Sequence, residues 1–96
     1  MKIINAIGTA DKKCSCGSWL DHWTKFSGKT AAVCGVMGCT NYDVVGAHVL
    51  KAGIYEFSTY IYPLCAACNQ ASGTLDVWDG YPLISANKSE TCEKRW

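Results

Sequence analysis

Two cysteine pairs set the terms on which this chain can fold. Cys34 and Cys39 have four residues between them, Cys65 and Cys68 have two, and 25 residues separate the pairs. Zinc needs four ligands in a tetrahedron, and pairs at these spacings, with room for a β-hairpin between them, supply its ligands with little strain. The first pair encloses Cys34-Gly35-Val36-Met37-Gly38-Cys39, where two glycines let the backbone turn tightly enough to aim both thiolates at one point. The plainer alternative is four buried, unliganded thiols, because a free cysteine packs as a small hydrophobe. Four of them at knuckle spacing favour the metal. Length strengthens the case: 96 residues make a single domain, 1–96, and a core of that size rarely contributes more than about 3 to 5 kcal/mol without a covalent or metal staple.

Seven cysteines are an odd number, so complete disulfide pairing within the chain would strand one thiol. Met1 to Ala10, containing Asn5 and Gly8, lacks the continuous apolar run and cleavage pattern of a secretory signal. No apolar stretch reaches the length of about 18 residues that a membrane span requires. The expected setting is therefore cytoplasmic and reducing, with no membrane partner, where such cysteines bind metal more often than they pair. A chain that is 49% hydrophobic and 18% charged is not disordered, and a net charge of +1 gives no strong field toward nucleic acid or an anionic surface.

The pattern predicts an α+β domain with short strands and two short helices. Lys2 to Ile7 reads as an opening strand. Ser18 caps a helix, Asp21 completes a capping box, Trp19, Leu20, Trp23 and Phe26 form its apolar face, and Gly28 stops it. Val44 to Leu50 and Thr59 to Leu64 read as a hairpin turning at Lys51-Ala52-Gly53, with His48 on its first strand. A second helix runs from Ala66 to Ser72, so that Cys65 and Cys68 fall at a helix start, where thiolates are favoured. Thr74 to Trp78 and Pro82 to Ala86 supply two more short strands.

Cys14, Cys16, His22, His48 and Cys92 remain. Nine Cys and His residues offer one more ligand than two tetrahedral sites consume. If His48 is the spare, Cys14, Cys16, His22 and Cys92 form a second zinc site tying the tail to the first helix. If His48 is a ligand, Cys92 is an ordinary thiol. The plain reading of His22, between Trp19 and Phe26 on a helix, is a packed side chain with one hydrogen bond.

The order of a cysteine pair, the strand Gly46-Ala47-His48-Val49 and then Tyr60-Ile61-Tyr62-Pro63-Leu64-Cys65-Ala66-Ala67-Cys68-Asn69 resembles the HNH endonuclease superfamily, over about Cys34 to Ser72. The flanking blocks Cys16 to Trp23 and Ser85 to Cys92 also resemble parts of a small bacterial or phage protein type with this layout. The resemblance implies a treble-clef zinc knuckle carrying a ββα-metal core. It places His48 where the family's general base activates water, and Asn69 where the final histidine holds a catalytic divalent ion. An asparagine carbonyl oxygen in that position suits magnesium or manganese. Ala47 stands where the family has an acidic metal ligand, and Tyr60 to Pro63 stand where it has its middle asparagine. An ion would draw on Asn69 and an acid such as Asp43 or Glu56.

Two classes of function follow. One is a zinc-binding module of HNH-like type that acts by binding protein or nucleic acid. The other is an active metal-dependent endonuclease with His48 as its base. The cations Lys12, Lys13, Lys25, Lys29, Lys51, Lys88, Lys94 and Arg95 are scattered and form no stripe for phosphates; the family residues missing at Ala47 and at Tyr60 to Pro63 favour the binding module, and the retained His48 favours the enzyme. A thiol redox role for Cys65 and Cys68 is disfavoured, since the motif follows a hairpin and not a βαβ unit.

Overall fold

The computed structural model describes residues 1–6, 15–53, 58–87 and 91. Its framework is one antiparallel sheet of five strands with two helices packed on it. The strands are β1 (Lys2–Asn5), β2 (Val44–Lys51), β3 (Tyr60–Cys65), β4 (Thr74–Asp76) and β5 (Ile84–Ser85), in the order β4-β1-β2-β3-β5. The helices are α1 (Trp19–Ser27) and α2 (Ala66–Asn69).

The β-branched run in β2 makes it the central strand, paired with β1 (Ile4 opposite Leu50) and with β3 (His48 opposite Ile61). Ala47, His48 and Val49 are buried in succession, and so are Ile61 to Cys65 on β3. Consecutive burial in place of alternation means that both faces of the sheet are covered there. Pro63 fits inside β3 because β5 pairs only with Tyr60 and Ile61. The Pro63 carbonyl instead accepts from Gly35 N at 3.0 Å, so its main-chain groups face away from β2 and no ladder bond is lost.

Helix α1 begins and ends where its capping residues dictate. Asp21 N donates to Ser18 Oγ at 3.0 Å, Ser18 N donates to Asp21 Oδ2 at 3.2 Å, and Gly28 closes the helix in the left-handed region at φ 70°. Trp23 is fully buried, its ring 5.3 Å from Tyr81, and its Nε1 donates to Pro82 O at 2.8 Å. Helix and sheet meet at Gly46, where a Cβ would strike the backbone of Trp19 and Leu20. The core around this contact is Ile3, Trp23, Ala47, Val49, Ile61, Tyr62, Leu64 and Val77. Burying each large apolar member contributes about 1.5 to 3 kcal/mol.

Several expectations need adjustment. Phe26 is exposed, because α1 turns only Trp23 and His22 fully inward. The second helix ends at Asn69, short of Ser72: its cap N–H at Gln70 bonds back to Ala67 O, closing one tight turn. The opening strand ends at Asn5 instead of Ile7, which lies outside the described residues, and the last two strands contract to Thr74–Asp76 and Ile84–Ser85. No helix among the described residues is long and apolar enough to cross a membrane.

Candidate metal centre

The loop from Cys34 to Cys39 is closed at both ends by main-chain bonds. Cys34 N donates to Asn41 O at 2.8 Å and Cys39 N donates to Val36 O at 3.0 Å, with Gly38 at φ 82° in the turn. Gly35 serves a different purpose from the turning role its position suggests. It lies beneath the Tyr62 ring, where a Cβ would collide, and the Tyr62 hydroxyl donates to Trp78 O at 2.6 Å. That contact seats the first cysteine pair against β3.

The second pair sits where β3 becomes α2. Cys65 is the helix N-cap, and Cys68 N donates to its Sγ at 3.4 Å. The short helix is held down from below by Asn5, whose Nδ2 donates to both Cys68 O and Ala71 O at 2.9 Å. The two pairs thus converge: the sulfur atoms of Cys34, Cys39, Cys65 and Cys68 all lie within 4.8 Å of one another, and Cys39 Sγ is 3.9 Å from Cys65 Sγ. A tetrahedron with Zn–S bonds of about 2.3 Å has S···S edges of about 3.8 Å. The cluster therefore has the size and donor chemistry of a four-thiolate metal site, and its sulfurs are free thiols, not cystines.

The electrostatics of the four thiols are unequal. The Asn41 amide, donating to Cys65 Sγ at 3.5 Å, and the Cys68 N–H hold the Cys65 thiol well below its ordinary range. Burial pushes Cys34 and Cys68 upward. Cys65 is thus better prepared to be a thiolate than Cys34 or Cys68, which need a cation to ionise fully. Asn41 and Asn5 are site residues that the spacing argument missed. Asn41 lies two positions beyond Cys39, but an exposed-looking polar loop residue carries no distinctive signal. Asn5 comes from the far end of the sequence.

The other candidate residues are placed apart from this centre. His48 is 7% exposed and packs edge-on against Trp19 with ring centroids 4.5 Å apart, on the face of the sheet covered by α1. Asn69 is exposed on α2 and lines a groove of about 450 Å³ with Ile4, Asn5 and Gln70. Asn5 pairs with Val49 and shares its face, and strand alternation puts His48 on the opposite one. The sheet therefore separates His48 from the groove that Asn69 lines. His22 is fully buried, flanked by the Trp19 and Phe26 rings at 5.0 Å each, with Nε2 2.8 Å from Ser85 O. Cys16 is half-buried in the turn before α1, while Cys14, Cys92 and Glu56 lie outside the described residues. Asp43 is exposed just ahead of β2. Lys25 and Lys51 lie over the rings of Phe26 and Tyr60, at 5.3 and 4.9 Å from the centroids, on separate elements.

Compared with known proteins, the chain matches no protein-family model, no curated protein and no solved structure at a significant level. What geometry and donor set define is a small α+β fold with four cysteines placed so that they could hold a metal ion.

Proposed function

We propose that this protein is a small zinc-binding module of treble-clef, HNH-like type, in which the ion fastens knuckle, hairpin and helix into a platform for binding a protein partner. The observation that carries the reading is the convergence of Cys34 and Cys39 with Cys65 and Cys68, two pairs separated by 25 residues of sequence. A domain this small gains rigidity from such a centre, since binding free energy at a structural zinc site is also folding free energy, on the order of 10 kcal/mol.

A protein partner is favoured over nucleic acid by the surface beside the knuckle. Met37 and Trp78, the residues that follow the bridged pair Val36 and Val77, are 58% and 53% exposed. Exposed large apolar side chains grouped together suit a protein interface, whereas Lys25 and Lys51 lie on aromatic rings and offer no phosphate-binding stripe. The burial of His48 under Trp19 and its separation from Asn69 weigh against the endonuclease reading, which requires the two on one substrate.

The test is to incubate zinc-loaded protein with plasmid and single-stranded DNA plus magnesium or manganese, beside His48→Ala. The binding reading predicts no cleavage by either protein. Cleavage by the native chain that disappears in the variant would replace it with the enzyme.

A further inference from the structure

We infer that the four-cysteine centre controls the exposed indole of Trp78, and that Tyr62 and Tyr81 carry the position of Cys34 to it. The residues on both sides of Cys34 are gripped by groups that also hold Trp78. On one side, Gly35 O accepts from Trp78 N at 2.8 Å, and the Tyr62 hydroxyl donates to Trp78 O at 2.6 Å from a ring that lies directly over Gly35. On the other, the Tyr81 hydroxyl donates to Val33 O at 3.0 Å and accepts from Val33 N at 3.4 Å. The Tyr81 ring meets the Trp78 ring edge to face, with centroids 5.0 Å apart. Both tyrosines are buried, which makes an unmade hydroxyl bond costly.

The indole itself lies outside the core. It rests on Gly80, where a Cβ would strike the ring, and leaves about half of the residue open to solvent. Energetic coupling between sites travels through packed side chains and hydrogen bonds, and here the path is short. Cys34 is joined to Trp78 through Gly35 and one main-chain bond, and again through Val33 and the Tyr81 ring. The rest of the knuckle follows the same course, since Met37 N donates to Asp76 O at 2.9 Å and Val36 bridges Val77. An ion that draws the Cys34 sulfur toward Cys39, Cys65 and Cys68 fixes the main chain at Val33 and Gly35. The partners of both tyrosine hydroxyls are fixed with it, and so is the indole. The coupling rests on the metal-binding reading, and its use rests on the protein-partner reading: tryptophan is enriched among residues that dominate protein interfaces. Coupling of this kind is reciprocal, so a partner that holds Trp78 raises the affinity of the centre for its ion.

The test uses the full chain labelled with fluorotryptophan and loaded in turn with zinc and with cadmium, a larger thiophilic ion that swells the centre without emptying it. Bound metal is measured by elemental mass spectrometry and the indoles by fluorine NMR on the same samples, with the Trp78 resonance assigned through Trp78→Phe. Between the two metals, Trp78 is expected to move several times as far as Trp19, which packs against His22 and His48 instead. In Tyr62→Phe and Tyr81→Phe that displacement should shrink toward the Trp19 value. With metal bound, a Trp78 resonance that moves no further than that of Trp19 would overturn the inference and leave the metal-binding reading intact. A displacement undiminished in both variants would overturn it too, since the tyrosines would not be the route. Chains that bind neither ion would overturn the inference and the metal-binding reading together. The first comparison uses the native chain alone, so it decides the matter whether or not a variant folds.

Discussion

Replacing Asn5 by Asp should damage this protein far more than replacing it by Ala, although aspartate is the closer match in shape. Both amide hydrogens of Asn5 are spent on carbonyls of the α2 segment, at Cys68 and Ala71. Each such bond contributes a net of about 0.5 to 1.5 kcal/mol. Asn5 Oδ1 is buried with no hydrogen-bond partner, so the native residue already bears a desolvation cost that alanine would relieve. Loss of two bonds offset by that relief puts Asn5→Ala at about 1 to 2 kcal/mol. Aspartate has no donor to offer and sets a carboxylate against two carbonyl oxygens, which costs more than about 3 kcal/mol. For a chain of this size 1 kcal/mol corresponds to about 4 to 8 °C in Tm. Calorimetric melts at a fixed excess of free zinc, held constant because ligand binding itself raises Tm, should therefore fall by about 8 °C for alanine and by more than about 15 °C for aspartate. An Asn5→Asp protein melting within a degree or two of the native one would refute the role given to these bonds.

Other expectations rest on separate contacts. Gly46→Ala forces a methyl group into the backbone of Trp19 and Leu20, which cannot yield as a side chain would, and should cost about 3 kcal/mol or more in a urea titration. Asn41→Ala removes the amide that donates to Cys65 Sγ and should weaken zinc binding about 10- to 100-fold in a competition titration with a chromophoric chelator, with the far-UV spectrum unchanged. Acid should release zinc, because protons compete for the same sulfur lone pairs. Burial makes Cys34 and Cys68 hold their protons more tightly than free thiols do, so affinity should fall by more than about tenfold per pH unit below neutrality in the same titration.

The parts of the molecule legible in its sequence were those encoded locally. Ser18, Asp21 and Gly28 delimit α1 through bonds no longer than one helical turn. The cysteine spacing announces a ligand set because metal geometry constrains close neighbours, and the hairpin β2–β3 follows from two β-branched and aromatic runs. The remainder depends on partners far apart in sequence. Nothing near Asn5 indicates that it will anchor Cys68, and nothing near Gly35 foretells the Tyr62 ring above it. His48 has the local context of a catalytic strand residue, yet the register of β2 against β1 and β3 turns it under Trp19. Strand parity, set by tertiary pairing, decided that outcome.

Anomalous scattering at the zinc edge from crystals of the native protein tests the central claim most directly. A peak is expected among the sulfurs of Cys34, Cys39, Cys65 and Cys68, about 2.3 Å from each. Continuous density joining any two of these sulfurs as a cystine, or thiols surrounding no anomalous signal in protein purified with zinc, would contradict it.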